Sequence, residues 1–121
     1  MKKTFLPAHL TGTVSAPASK SEAHRRMICA GLTQGETMLT GFMDSADMAA
    51  TMRCLGALGS TFNRDGDTLT ISGMQGKIAK MPVMDCGESG STLRFFVPIA
   101  LTVAGGTVFR MHAVSYTHLT L

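Results

Sequence analysis

Two short stretches of this chain concentrate the residue types that bind anions. The first is Ala18-Ser19-Lys20-Ser21-Glu22-Ala23-His24-Arg25-Arg26, which puts Lys20, Arg25 and Arg26 on the first two turns of a predicted helix. A helix start already carries roughly half a positive charge and unpaired N–H groups, so cations there lose free energy unless something negative sits in front of them. A phosphate or carboxylate is the natural partner. Ser19 and Glu22 read as an S-x-x-E capping box, with Ser19 as N-cap. Lys20 and Ser21 then stand at the helix mouth. Arg25, one turn after Ser21, can reach back to it because helical side chains lean toward the amino terminus. Taken alone, the stretch also suits a solvated, basic helix start.

The second stretch is Asp85-Cys86-Gly87-Glu88-Ser89-Gly90-Ser91-Thr92-Leu93-Arg94: a strand end, a loop of small residues and a helix start. Glycines there let the backbone approach a ligand and aim its N–H groups at it. Arg94, one turn in, can join Gly90, Ser91 and Thr92 at the mouth. A glycine-rich turn with N-caps is the plainer alternative. The stretch has no G-K-[ST] of a nucleotide phosphate loop and no G-x-S-x-G nucleophile elbow.

The elements that must position these residues follow from periodicity and punctuation. A strand is expected over Leu10–Ser15 and a helix over Lys20–Leu32, with Ala23, Met27, Ala30 and Leu32 facing a core. A strand over Glu36–Phe42 and a helix capped by Asp44 or Ser45 and ending at Leu58 come next. Asp65-Gly66, between Thr61–Arg64 and Thr68–Ser72, signals a hairpin. Residues 73–82 read as a loop and Met84–Cys86 as a short strand. A helix over Gly90–Ala104 carries the apolar stripe Leu93, Phe96, Val97, Ala100, Leu101 and Ala104, with a kink expected at Pro98. A strand at Thr107–Met111 follows. The order predicts a mixed α/β or α+β lobe with helices packed on a sheet.

The totals narrow the function. A chain of 121 residues, 45% hydrophobic, suffices for one modest core, and a formal charge of +3 is too small to argue for nucleic acid. Aromatic residues make up 6%, with one Tyr and no Trp, so base-stacking platforms are not expected. No apolar run reaches the length of a membrane span, and the start lacks the apolar region of a signal peptide, which makes a cytoplasmic protein the expectation. Cys29, Cys54 and Cys86 are odd in number and widely spaced, so no disulfide framework is expected. Cys29 and Cys54 read as small buried residues. His9, His24, His112 and His118 are scattered and give no metal-ligand spacing.

Together the two stretches closely resemble the 5-enolpyruvylshikimate-3-phosphate synthases. The resemblance covers about Leu10 to His112 and is carried by four motifs. They are Ser19-Lys20-Ser21-x-x-x-Arg25, Asp44-Ser45-Ala46-Asp47, Gly66-Asp67-Thr68-Leu69 and Gly87-Glu88-Ser89-Gly90-Ser91-Thr92-Leu93-Arg94. It implies part of one lobe of the enolpyruvyl transferase fold, built from β-α-β-α-β-β units. It also implies transfer of the enolpyruvyl group of phosphoenolpyruvate to the 5-hydroxyl of shikimate 3-phosphate, with release of phosphate and no metal or organic cofactor.

By the same resemblance Lys20, Ser21 and Arg25 lie at the shikimate phosphate and phosphoenolpyruvate, Lys20 also serving catalysis. Gly90 and Ser91 border the phosphoenolpyruvate pocket, and Arg94 binds its anionic groups. Glu88 and Ser91 stand where Asn and Thr are commoner, and Ala46 where Asp is frequent. The implied organisation is a strand over residues 1–14 that packs with the C-terminal lobe and an incomplete substrate-binding lobe over 15–113. Residues 114–121 resemble a foreign or disordered tail. Family members are several times longer, so the proton-transfer groups and the C-terminal lobe are expected outside these residues, which alone would be inactive; the parent is expected to be a monomer. Two alternatives stand beside this reading. One is a stand-alone anion-binding module. The other is the sibling transferase acting on UDP-N-acetylglucosamine, whose Lys-Asn pair is Lys20-Ser21 here.

Overall fold

A computed structural model describes residues 2–76, 78 and 80–112. Three helices and five strands follow in the order α1 (Lys20–Leu32), β1 (Glu36–Leu39), α2 (Ala46–Ala57), β2 (Thr61–Asp65), β3 (Thr68–Ser72), β4 (Val83–Asp85), α3 (Gly90–Val103) and β5 (Val108–Arg110). The mixed architecture is the expected α+β one. β1, β3 and β2 form an antiparallel sheet in that order, with β3 central. β4 and β5 pair in parallel, Val83 opposite Val108 and Asp85 opposite Arg110, which makes β4-α3-β5 a crossover unit.

The core lies between the helices and the inner face of the sheet. Leu69 and Ile71, alternating along β3, are fully buried, as are Met27 of α1, Leu55 of α2, Met84 of β4 and Phe96 of α3. Helices α1 and α2 pack closely because residue 31 is glycine: a Cβ there would sit 2.7 Å from Leu55 Cδ1.

Several elements differ from expectation. No strand forms over 10–15; residues 2–19 hold neither helix nor strand, and Phe5, Leu6, Leu10 and Val14 are more than 80% exposed. A strand needs a ladder partner, and none is offered to this segment among the described residues. The hairpin turn falls on Gly66 and Asp67, one residue later than Asp65-Gly66, because Asp65 pairs with Thr68. α3 runs as one helix through Pro98. Its apolar stripe is only half used: Phe96 and Ala100 are buried, whereas Leu101 is 82% exposed on the outer side. Cys29 is exposed, contrary to expectation, while Cys54 and Cys86 are buried with their sulfurs 3.8 Å apart. Residues 114–121 lie outside the described part of the chain.

Candidate anion-binding site

Three helices point their N-termini toward one region, and each is capped by serine. Ser19 Oγ accepts from the Glu22 amide at 3.3 Å, Ser45 Oγ from Met48 at 3.2 Å and Ser89 Oγ from Thr92 at 3.2 Å. The α1 box forms only in this forward half. Glu22 turns instead to Arg26, whose guanidinium lies 2.5 Å from its carboxylate. Arg26 is therefore tied to its own helix, which leaves Lys20 and Arg25 as the cations of the α1 mouth.

Lys20 forms an ion pair with Asp47 in the first turn of α2. The bond to Lys20, and then one from Ser89, holds the Asp47 carboxyl below the usual carboxylate range. Asp47 thus touches both mouths: its side chain pairs with Lys20, and its carbonyl lies 3.5 Å from Thr92 Oγ1. Arg25 reaches back one turn, donating from Nη1 to the Ser21 carbonyl at 3.0 Å. Its guanidinium also lies over the ring of Phe95 in α3, 5.5 Å from the centroid. Ser21 is exposed.

At the α3 mouth, Gly90 opens the helix, Ser91 Oγ lies 3.2 Å from Ser89 Oγ, and Ser91 and Arg94 are exposed. Arg94 has no ion pair among the described residues. The loop before α3 is pinned from below. Asp85 accepts from the Gly87 amide at 3.0 Å and sits 2.9 Å from His112 Nε2 and 3.4 Å from Arg53 Nε. The Gly87 bond is the main reason the Asp85 carboxyl is held below its usual range. Gly87 has a φ of +55°, and a Cβ there would lie 2.8 Å from Arg53 Nη2, so the turn requires glycine.

Beneath the two mouths runs a buried polar line that sequence patterning did not reveal. His24 Nε2 is 2.5 Å from Thr51 Oγ1, Thr51 Oγ1 is 3.0 Å from Thr92 Oγ1, and Thr92 Oγ1 is 2.8 Å from Ser89 Oγ. His24 is 4% exposed, and Thr51 and Thr92 are fully buried. The His24 ring also meets Phe95 edge-on at 5.1 Å. One signal was available in the sequence: His24 falls among Ala23, Met27 and Ala30 on the buried face, where an imidazole needs a partner.

The geometry therefore links Lys20 to the α3 mouth through Asp47 and Thr92, and Arg25 to α3 through Phe95, while Ser21 has one side-chain partner among the described residues, Arg25, met through its carbonyl. A cavity of about 170 Å³ lined by Pro17, Lys20, Ser45 and Met48 opens beside Lys20. A larger one of about 260 Å³ lies between Arg26 and Phe42, lined by neither α3 nor Lys20. The arrangement presents amide donors, hydroxyls and fixed cations to an anion. Among the described residues no group of His, Cys, Asp and Glu is placed to hold a metal ion. No described helix is long and apolar enough to cross a membrane.

Comparison with known proteins gives a consistent result. The family model for EPSP synthase (3-phosphoshikimate 1-carboxyvinyltransferase) matches residues 6–110. A 3-phosphoshikimate 1-carboxyvinyltransferase of Clostridium perfringens strain SM101 is 46% identical over 103 residues, covering 84% of this chain and 24% of the relative. That of Clostridioides difficile strain 630 is 39% identical over 109 residues, covering 82% of this chain and 25% of the relative. The solved EPSP synthase of Acinetobacter baumannii superposes with a TM-score of 0.60 at 27% identity, over 70% of this chain and 20% of that one. The chain thus spans about a quarter of the length of the curated relatives it matches. It belongs to the EPSP synthase (3-phosphoshikimate 1-carboxyvinyltransferase) family.

Proposed function

We propose that this chain forms part of the substrate surface of an enzyme that moves the enolpyruvyl group of phosphoenolpyruvate onto the 5-hydroxyl of shikimate 3-phosphate, releasing phosphate. The observation that carries the reading is the convergence of the two basic helix mouths, Lys20 meeting Asp47 and Arg25 lying over Phe95. Both substrates carry several negative charges, and bringing them together needs cations fixed in advance to offset their repulsion.

In this reading Lys20, Ser21 and Arg25 hold the shikimate phosphate and the near side of phosphoenolpyruvate. Gly90 and Ser91 border phosphoenolpyruvate, and Arg94 binds its anionic groups. Lys20 is the residue proposed for catalysis: a preorganised ammonium stabilises negative charge gathering on the departing phosphate. To do so it must leave Asp47, so ligand binding exchanges an internal ion pair for an external one. The groups that move protons belong to residues outside these 121, as does the second lobe that closes over the substrates. The same reading makes the parent a monomeric, cytoplasmic enzyme with no cofactor.

The test is selectivity. Binding of shikimate 3-phosphate and of inorganic phosphate to the 121-residue chain would be compared by calorimetry, with Lys20→Ala and Arg25→Ala variants alongside. The reading expects tighter binding of shikimate 3-phosphate, lost in both variants. Equal affinity for the two anions would instead mark a generic anion-binding module.

A further inference from the structure

The polar line beneath the mouths is costly, and its course suggests its use. Burying hydroxyls and an imidazole where apolar side chains would pack equally well gains no stability unless every group is satisfied. Here His24, Thr51, Thr92 and Ser89 satisfy one another at 2.5, 3.0 and 2.8 Å across three helices. Each end of the line is a residue that sets the geometry of a mouth. His24 lies one turn after Lys20 and directly before Arg25, so its orientation fixes the roll of α1 beneath both cations. Ser89 is the N-cap of α3 and sets where the amides of Gly90 and Ser91 point. Phe95 meets both the His24 ring, near-perpendicular at 5.1 Å, and the Arg25 guanidinium at 5.5 Å.

We propose that His24 is a positioning residue: through Thr51 and Thr92 it locks the α1 mouth against the α3 mouth so that both meet one anionic ligand. The proposal rests on the reading of the two mouths as a shared surface for shikimate 3-phosphate and phosphoenolpyruvate. A line of hydrogen bonds suits this task better than apolar packing because it is directional and does not slide. The need for accuracy is real, since displacement of reacting groups by ~1 Å can cost ~100-fold in rate. Burial, aided by Lys20 and Arg25 and opposed by Asp47, favours the neutral imidazole. A neutral ring positions the cations without adding to their repulsion.

The test is hydrogen exchange read by mass spectrometry on the 121-residue chain, titrated with phosphoenolpyruvate, the ligand both mouths share, in the presence of saturating shikimate 3-phosphate. Peptides spanning Ser19–Glu22 and Ser89–Thr92 report the two mouths separately. In the unsubstituted chain both gain protection at the same half-saturating concentration. His24→Leu separates the two concentrations by about tenfold or more, as expected once one ligand no longer bridges both. His24→Gln, whose amide nitrogen can occupy the place of Nε2, restores coincidence. A general loosening of the fold would shift both mouths together and would not be rescued by glutamine.

If folded His24→Leu keeps the two concentrations within twofold, the positioning role is overturned while the shared surface stands. If the unsubstituted chain gains protection at neither mouth, the shared surface fails and the positioning role with it. Should His24→Leu not fold, Thr92→Val breaks the same line from the α3 side and decides by the same criterion.

Discussion

Replacing Thr51 with valine removes one hydroxyl and almost no volume, which isolates the polar line from the packing around it. Thr51 is fully buried, and its Oγ1 has two partners, His24 Nε2 at 2.5 Å and Thr92 Oγ1 at 3.0 Å. Thr92 retains Ser89 at 2.8 Å after the change, so its loss is a hydrogen bond worth about 1 kcal/mol. His24 Nε2 loses its one side-chain partner among the described residues, in a site 4% exposed. An orphaned buried group of that kind costs about 1–3 kcal/mol. The expected destabilisation is therefore about 2–4 kcal/mol, a large share of the ~5–15 kcal/mol available to a domain.

In urea unfolding followed by circular dichroism this lowers the midpoint by roughly 1–2 M, for a slope of about 2 kcal/mol/M. The double variant Thr51→Val with His24→Leu should cost less than the sum of the two singles, because it removes both partners together. A Thr51→Val midpoint within ~0.3 M of the unsubstituted chain, or strictly additive variants, would refute the energetic argument for the line.

Further outcomes follow from particular contacts. Burial keeps the His24 imidazole below its usual range, with Lys20 and Arg25 adding to the effect and Asp47 opposing it. The unfolded chain then takes up a proton that the folded chain resists, so stability is whole above about pH 6.5 and declines as pH falls through the folded value; urea midpoints between pH 7.5 and 5 should show this, and His24→Gln should remove it. Asp47→Asn should cost under ~1 kcal/mol in the same assay, since the Lys20 side chain it pairs with is 60% exposed. That variant should also bind inorganic phosphate more tightly in calorimetry, because Lys20 loses its internal competitor. Gly31→Ala should destabilise by about 1–3 kcal/mol, its Cβ meeting Leu55 at 2.7 Å; Gly56→Ala, with nothing within 4 Å, should stabilise by about 0.5–1 kcal/mol in thermal unfolding.

Helix starts were the most legible elements, because capping is a local transaction. Ser19, Ser45 and Ser89 each cap the helix expected from its neighbours, and α1 spans Lys20–Leu32 as periodicity indicates. The hairpin was placed within one residue, since the signal of Asp65-Gly66 fixes a turn but not its register. Leu10–Ser15 and Leu101 mislead for one common reason. Apolar patterning reports what a segment can bury, and burial also needs a partner surface, which the described residues do not supply to either.

The candidate site divides in the same way. Lys20, Ser21, Arg25, Gly90, Ser91 and Arg94 could be singled out because charge and small residues at helix starts have a meaning readable along the chain. Asp47 entered the sequence reading only within the Asp44-Ser45-Ala46-Asp47 motif, and its bond to Lys20 joins α2 to α1. The line from His24 to Ser89 joins residues up to 65 positions apart, and hydroxyl pairing at such separations leaves no periodic trace.

The most direct test of the account is turnover in a complete enzyme. Residues 6–110 would replace the matching segment of the Clostridium perfringens relative, and phosphate release from phosphoenolpyruvate and shikimate 3-phosphate would be followed with and without Lys20→Ala and Arg94→Ala. The account predicts an active chimera whose kcat/KM falls by about 100-fold or more in each variant. A folded chimera that releases no phosphate, or one indifferent to both substitutions, would contradict it.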